Sequence, residues 1–217
     1  MAKVDTELTA APVAAPPAAA PTLTHWREQL PVLTRPGVTL REPTAADVVA
    51  LFTALPADAP EQVLIDPPPA SVAGYETLVE RVQAGRRAGQ LACWAIVPDD
   101  SDVAVGIIGV RAMDPQASMV EGFAVVAQEF RGTPLFQTAG RMVLGCLFSQ
   151  MRVHRAEFRI DVRNGRANGA LRKLGATQEG LLRRARRVHG ECLDQVLWAI
   201  VSTDWTESRP TRTTSVH

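Results

Sequence analysis

The residues most able to do chemistry in this chain lie in one stretch of its second half. A loop with Arg131, Gly132 and Thr133 precedes an apolar helical pattern, and Asn164 precedes a shorter helical pattern that runs to Lys173. The first amides of a helix have no partner within the helix and carry the positive end of its dipole. The loop therefore predicts a phosphate site, and a diphosphate-bearing cofactor is the natural ligand.

A mixed sheet is expected to position these residues. Hairpin signals early in the chain and a crossover helix later favour an α/β (α+β) fold, with a mixed, mostly antiparallel central sheet and helices on both faces. The predicted helices span residues 45–55, 72–87, 135–151 and 166–174. The predicted strands span residues 38–41, 91–97, 103–111, 119–127, 155–162, 181–188 and 193–202.

The composition fits one globular domain between two loose ends. Of 217 residues, 46% are hydrophobic and 21% are charged, which argues against wholesale disorder. We expect an Ala/Pro-rich flexible segment over residues 1–33, the folded domain over 34–206 and a flexible tail over 207–217. Trp26 and Leu30 are expected to pack back on the domain, since burial is the usual fate of an indole ring.

The charge is unevenly distributed although the formal net charge is zero. Residues 41–130 contain 5 basic and 13 acidic residues, whereas residues 131–190 contain 13 basic and 3 acidic residues. The basic half coincides with the predicted phosphate loop, and the acidic half would favour cationic or amine acceptors.

Several other classes of protein are not favoured. Cys93, Cys146 and Cys192 are far apart and odd in number, and neither His154 nor His189 has a partner at ligand spacing, so no metal site is expected. No apolar run approaches the roughly 20 residues that span a bilayer, and the N-terminal segment has no signal-peptide pattern. We therefore expect a cytoplasmic protein with no membrane partner.

The order and spacing of these motifs resemble the GNAT acyltransferase superfamily, in particular the branch of ribosomal-protein N-terminal acetyltransferases. The family's phosphate loop, Q/R-x-x-G-x-G/A, falls on residues 131–136, and the branch pattern N-x-x-S-x-x-x-x-x-K-x-G falls on 164–175. Its E-G-x-x-R pattern falls on 179–183, its L-R followed by Asp on 40–47, and its G-x-x-x-D-x-x-x-W on 190–198. The resemblance covers the chain from about Thr34 to Trp205.

The resemblance implies the GNAT fold and transfer of an acetyl group from acetyl-CoA, as co-substrate, to a primary amine of a small molecule or peptide. It further implies that the strands at 119–127 and 155–162 part at one end, where free backbone groups hold the pantetheine arm. The cofactor-binding residues implied in this way are Val125, Ala127, Arg131, Gly132, Thr133, Leu135, Phe136, Asn164 and Lys173.

The chain departs from the family pattern at several positions. Pro134 replaces a loop glycine and has no N–H for a phosphate. Phe136 stands where the pattern has Gly, Ala or Asn, so its ring faces either the cofactor or the core. Ala167 replaces a serine whose hydroxyl could assist departure of the thiolate. The strand glutamate of the branch would fall at Val120, while this chain has Glu121 on the opposite sheet face unless a bulge intervenes.

Alternatives remain for the individual residues. Glu121 is the candidate catalytic base, or else a carboxylate at the edge or surface. Asn164 would bind the pantetheine amides, or only cap its helix. Lys173 and Arg172 would reach the phosphates, or belong to a solvated helix face. The only tyrosine, Tyr75, lies in a predicted helix, so no complete acid–base pair is assigned.

Three functions are compatible with these residues. The first is the acyl-CoA-dependent N-acyltransferase; the second is a CoA-binding or regulatory protein of the same fold with little transfer activity. The third is a nucleic-acid module that uses the arginine run 183–187, which an alternating exposed strand without an aromatic platform does not favour. The acceptor amine is not identified by the sequence, and a homodimer stays open.

Overall fold

The computed structural model describes residues 25–55, 69–188 and 190–205. The Ala/Pro-rich run at 10–21, most of the proline-rich stretch at 56–70 and the C-terminal tail lie outside the described residues. The three-part division of the chain therefore stays a prediction.

The helices and strands follow the predicted order, with a short additional helix and strand at the start. The helices are α1 (His25–Glu28), α2 (Val48–Ala54), α3 (Val72–Arg87), α4 (Pro134–Ser149) and α5 (Gly165–Lys173). The strands are β1 (Leu33–Arg35), β2 (Val38–Arg41), β3 (Leu91–Pro98), β4 (Gly106–Ala112), β5 (Met119–Val126), β6 (Arg155–Asp161), β7 (Thr177–Val188) and β8 (Glu191–Val201).

The described strands form one eight-stranded sheet in the order β1-β2-β3-β4-β5-β6-β8-β7. Strands β5 and β6 are parallel and joined by the crossover helix α4, and the other neighbouring pairs are antiparallel. This confirms the predicted mixed, mostly antiparallel sheet of the GNAT fold.

Two apolar cores lie on opposite faces of this sheet. Strand β3 contributes to both, because Trp94 and Ile96 pack in the core under α4 and α5 while Cys93 and Ala95 pack in the core under α2 and α3. Successive side chains of a strand point to opposite faces, so a strand covered on both sides reads as a continuous apolar run.

The segment before the first strand packs against the domain. Leu30 is buried in the core under α4 and α5, and the indole Nε1 of Trp94 donates to the carbonyl of Pro31 at 2.9 Å. The side chain of Arg86 donates to the carbonyl of Arg27 and pairs with Glu42 at 2.6 Å. The predicted packing of Leu30 is confirmed.

Some element predictions were wrong in detail. Within the predicted helix at 45–55, Phe52 is at helical spacing from the buried Val48, yet it is 39% exposed. The strand expected from Val103 begins at Gly106, and Val103 is exposed in the hairpin that precedes it. The predicted helix start at Ala45 is a 3₁₀ turn over Ala45–Asp47, in which the carboxylate of Asp47 accepts from the amide of Thr44.

None of the described helices is both long and apolar enough to cross a membrane.

Candidate active site

Strands β5 and β6 pair only at the start of β5. Their register joins Met119 with Arg155, Val120 with Ala156 and Glu121 with Glu157, and the later residues of the two strands are not paired with each other. Unpaired N–H and C=O groups therefore face each other across the split beyond Glu121, where an extended ligand can bind like an added strand.

The loop between β5 and α4 closes one side of this split. Gly132 has φ of +79°, a conformation that an L side chain rarely adopts, and open space lies where a Cβ would be. The guanidinium Nε of Arg131 donates to the carbonyl of Val126 at 3.1 Å, which fastens the loop to the end of β5.

Helix α4 begins where this loop ends, and the amides of its first turn have few partners. The hydroxyl of Thr133 donates backward to the carbonyl of Phe130 at 2.8 Å and makes no capping hydrogen bond with α4. Pro134 is the first helical residue and has no N–H, as the sequence indicated. Helix geometry leaves the amides of Leu135 and Phe136 without a partner inside the helix, so two donors remain where the family loop would have more.

Helix α5 forms the opposite wall. The side-chain oxygen of Asn164 accepts from the amide of Ala167 at 3.0 Å, so the predicted cap is present. Two hydrogen bonds hold α5 to α4: Gln137 donates to the carbonyl of Ala170 at 3.2 Å, and Arg141 donates to that of Lys173 at 3.0 Å. These hydrogen bonds fix the position of α5 relative to α4 on the two sides of the split.

A cleft of about 300 Å³ lies between these walls. It brings together seven of the residues predicted to bind the cofactor, namely Val125, Arg131, Gly132, Thr133, Phe136, Asn164 and Lys173. Ala127 and Leu135 are not among its lining residues; Ala127 is buried, and Leu135 packs against the core. Residues that the sequence analysis did not name also line it, among them Gln137, Arg166 and Ala170.

The two basic residues at the end of α5 have different surroundings. Lys173 lines the cleft, whereas the guanidinium of Arg172 lies over the ring of Trp198, 5.5 Å from its centroid. A contact of this kind is a cation–π interaction, which draws Arg172 toward the sheet. The interpretation that Arg172 reaches the phosphates loses its support, while the same interpretation for Lys173 stays a prediction.

Glu121 lies at the apex of the split. The register between β4 and β5 runs without a shift from Gly106 to Ala112, so Glu121 points to the face opposite Val120. Its side chain is 11% exposed, and one carboxylate oxygen accepts from Arg111 at 2.6 Å. The other oxygen lies 3.8 Å from Nε of Arg159. Glu121 is thus a nearly buried, paired carboxylate rather than a surface one.

Glu157, which the sequence analysis did not name as a site residue, lies beside Glu121 on β6. Its side chain is 10% exposed and accepts from Nε of Arg155 at 2.8 Å. The alternation of charges at 155, 157 and 159 could have indicated a charged sheet face, but the register that brings Glu157 next to Glu121 is a long-range feature.

Arg155 extends this network to the neighbouring hairpin. Its guanidinium makes two hydrogen bonds with the carboxylate of Glu179, one of them at 2.9 Å. Hydrogen bonds from Arg155 lower the pKa of Glu179, and those to Glu179 and Glu157 raise the pKa of Arg155. Arginine and glutamate therefore balance each other along this face, from β4 to β7.

The remaining polar candidates do not approach the cleft. The hydroxyl of Tyr75 donates to the carbonyl of Leu55 at 3.1 Å inside the core under α2 and α3, and burial raises the pKa of Tyr75 to about 12. Burial likewise raises the pKa of Cys146 to about 12. In the described parts of the chain, no three His, Cys, Asp or Glu side chains are grouped as metal ligands.

Comparison with known proteins identifies the family. A family model described as an acetyltransferase (GNAT) domain matches residues 38–177, which is more than half of the chain. None of the curated proteins matches the chain. The fold is similar to a structure described as a probable acetyltransferase of the GNAT family from Chromobacterium violaceum, with 26% identity, a TM-score of 0.69, and coverage of 90% of this chain and 99% of that one.

Two further structures share the fold at lower identity. RimJ from Mycobacterium smegmatis, in complex with CoA-disulfide, has 23% identity and a TM-score of 0.68, and the match covers 80% of this chain and 87% of that one. A ribosomal-protein-S5-alanine acetyltransferase from Vibrio fischeri has 14% identity and a TM-score of 0.70, with coverage of 81% and 98%. With a family match of this extent and a split sheet that opens on a cleft, the chain belongs to the GNAT family and is an N-acetyltransferase.

Proposed function

We propose that the protein transfers an acetyl group from acetyl-CoA to a primary amine, and that the donor binds in the cleft between α4 and α5. The observation that carries this proposal is the split between β5 and β6, which leads from the first turn of α4 to Glu121. A diphosphate would lie at one end of that path and a thioester at the other. The CoA compound bound to the M. smegmatis relative supports the same choice of donor.

The residues of the cleft fit such a donor. The amides of Leu135 and Phe136, with Gly132 beside them, are donors at the positive end of a helix dipole and suit a diphosphate. Lys173 on the opposite wall adds a positive charge. The backbone groups near Val125 would pair with the pantetheine arm, and the side-chain amide of Asn164 would contact it while it continues to cap α5.

The chemical step proposed is direct attack of the amine nitrogen on the thioester carbonyl. A C–N bond forms, the C–S bond breaks, and the proton lost by the amine is balanced by the proton that the leaving thiolate gains. Holding the two reactants in line is worth about 7–11 kcal/mol in well-oriented pairs. The chain has to supply orientation first, and a proton acceptor second.

Glu121 is the proposed proton acceptor, acting directly or through a water molecule. Its position at the apex of the split favours this assignment, but its hydrogen bond to Arg111 means that it has to exchange a guanidinium for the amine. Glu157 is close enough to share the incoming positive charge. The acidic residues Asp99 and Asp100 lie in the hairpin between β3 and β4, beyond the Gly106 end of β4, and that end is itself about 17 Å along the strand from the Arg111–Glu121 pair.

The test is release of CoA thiol from acetyl-CoA in the presence of a panel of amines, comprising peptides with free N-termini, polyamines and acidic peptides. We expect release that depends on one class of amine and that yields the acetylated amine by mass spectrometry. Binding of CoA without thiol release for any amine would contradict the transferase proposal and favour a CoA-binding protein with little transfer activity.

A further inference from the structure

A second cavity of about 60 Å³ lies beneath the cleft, between the sheet and helices α4 and α5. Its described lining is entirely apolar or glycine, and it includes Ile108, Val143, Leu144, Leu147 and Ile160. Protein interiors are close-packed, and voids larger than a water molecule are few. An apolar cavity of this kind stays dry and binds apolar ligands.

The cavity and the cleft share part of their walls. Ala124, Phe136, Ala167 and Ala170 line both of them. Three of these side chains are single methyl groups, so they leave room between the two spaces. The fourth is a half-buried aromatic ring, which can move with its rotamer. A group that starts in the cleft can therefore extend into the cavity.

Two of the shared residues are also departures from the family pattern. Phe136 occupies a position where the pattern has Gly, Ala or Asn, and Ala167 occupies one where it has Ser. Both changes remove a polar or very small group from the boundary and replace it with an apolar one. A boundary of this composition offers no hydrogen bond to an amide or a hydroxyl, so it favours an aliphatic group.

We propose that this cavity is an acyl-chain subsite and that, besides acetyl-CoA, the protein also takes longer acyl-CoA donors, of the propionyl to butyryl class. The inference rests on the proposed function, because the chain has to enter from a donor bound in the cleft. One water needs roughly 10–15 Å³ on the same measure of space, so the cavity has room for about four groups of that size. Chains much longer than butyryl would exceed it.

Binding without an acceptor tests the proposal independently of which amine is used. CoA, acetyl-CoA, propionyl-CoA, butyryl-CoA and octanoyl-CoA are titrated into the protein by calorimetry. We expect affinity to rise by about fourfold for each added methylene up to butyryl, and to stop rising at octanoyl. Equal affinity for acetyl-CoA and butyryl-CoA would overturn the subsite. A steady rise in affinity up to octanoyl-CoA would overturn it as well, because it would indicate binding to an open apolar surface rather than in a bounded cavity.

A matched pair of variants locates the effect. Val143→Ala enlarges the cavity, and Val79→Ala makes the same change in the core under α2 and α3; the two valines are 3% and 5% exposed. We expect Val143→Ala to move the preferred chain length up by about one carbon. Val79→Ala should keep the wild-type order, and an identical shift in both variants would overturn the assignment.

A second variant, which reduces the volume of the cavity, keeps the proposal testable if Val143→Ala does not fold. Gly140 lines the cavity, and a Cβ added there would meet a methyl group of Leu174 at 3.0 Å. Gly140→Ala suits a helix interior and should reduce the advantage of butyryl-CoA over acetyl-CoA. An unchanged advantage would place the acyl chain elsewhere.

The outcomes separate this inference from the proposed function. If CoA and acetyl-CoA bind and butyryl-CoA binds no better, only the acyl-chain subsite is wrong. If none of the thioesters binds, and CoA does not bind either, the donor site and the subsite are both wrong.

Discussion

The described parts of the two cores of this protein differ in what they border. In the core under α2 and α3, Leu51, Tyr75 and Ala95 are at most 1% exposed, and the hydroxyl of Tyr75 is satisfied by Leu55. The core under α4 and α5 contains the 60 Å³ cavity and borders the 300 Å³ cleft. We infer that the second core gives up contacts to leave space for the proposed donor, whereas the first contributes mainly to stability.

The largest expected effect is on the free energy of unfolding, when one buried leucine in each core is replaced by alanine. We expect Leu51→Ala to cost about 4 kcal/mol of unfolding free energy and Leu144→Ala about 3 kcal/mol. Leu144 lines the cavity, so part of its side chain faces space rather than packed atoms, although both leucines are nearly fully buried. Urea unfolding measures both values, and a greater loss for Leu144→Ala would contradict the packing difference.

The core under α2 and α3 should also have a specific pH dependence. Asp47 is 3% exposed and accepts from two nitrogens of Arg41, each at 2.7 Å. Burial alone would raise the pKa of Asp47, but the hydrogen bonds from Arg41 and Thr44 lower it below its usual 3.8. The folded state thus binds the Asp47 proton less tightly than the unfolded state does.

Because this pKa is lowered, the free energy of unfolding decreases when the pH becomes acidic. The stability due to Asp47 is complete above about pH 5 and is lost as the pH falls through the folded pKa. We expect Asp47→Asn to cost about 2 kcal/mol at pH 7 and much less near pH 2. Unfolding by urea at both pH values measures it. A cost that does not change with pH would show that the shape of Asp47, rather than its charge, matters.

The charged face near the split should show a smaller, catalytic effect. We expect Glu121→Gln to lower kcat by about tenfold, under the roughly 100-fold at the lower limit for a dedicated general base, because its carboxylate is already engaged by Arg111. Glu157→Gln on the adjacent strand is the matched control and should lower kcat less. A loss of several thousandfold for Glu121→Gln, with loss of the acidic limb of the pH–rate profile, would show a dedicated base.

The smallest effect is expected at the end of the same network. Glu179 is 37% exposed, and its pairing with Arg155 is screened by water. We expect Glu179→Gln to cost about 0.5 kcal/mol, far below the cost of Asp47→Asn. An equal cost for the two variants, measured by urea unfolding at pH 7, would mean that exposure does not separate the two ion pairs.

Much of the fold was predictable because the spacing of apolar residues along the chain indicates where the helices and strands lie. Helix α3 was predicted with its observed bounds, and α4 and α5 begin within one residue of the prediction. The start of β7 was missed because Thr177–Gly180 is a polar edge with a register shift near Gly180. Strand β1 was missed because two of its three residues, Thr34 and Arg35, are exposed and leave no apolar pattern.

The residues of the candidate site were predictable only where they belong to a short local sequence motif. Gly132 and Asn164 were found because a positive φ and a helix cap impose residue types locally. Gln137 and Ala170 were not found because they line the cleft only through the docking of α4 on α5. Glu157 depends in the same way on the register of two strands far apart in the sequence.

We propose that the cleft between α4 and α5 binds the diphosphate of CoA. Calorimetric titration of CoA into the wild type, Gly132→Asp and Gly132→Asn tests it most directly, because the two variants share the strained backbone and differ in charge. We expect Asp to weaken binding by about tenfold or more, through repulsion of the diphosphate, and Asn by about threefold. Absence of binding to the wild type at millimolar CoA, or equal affinity of folded Gly132→Asp and wild type, would contradict the account.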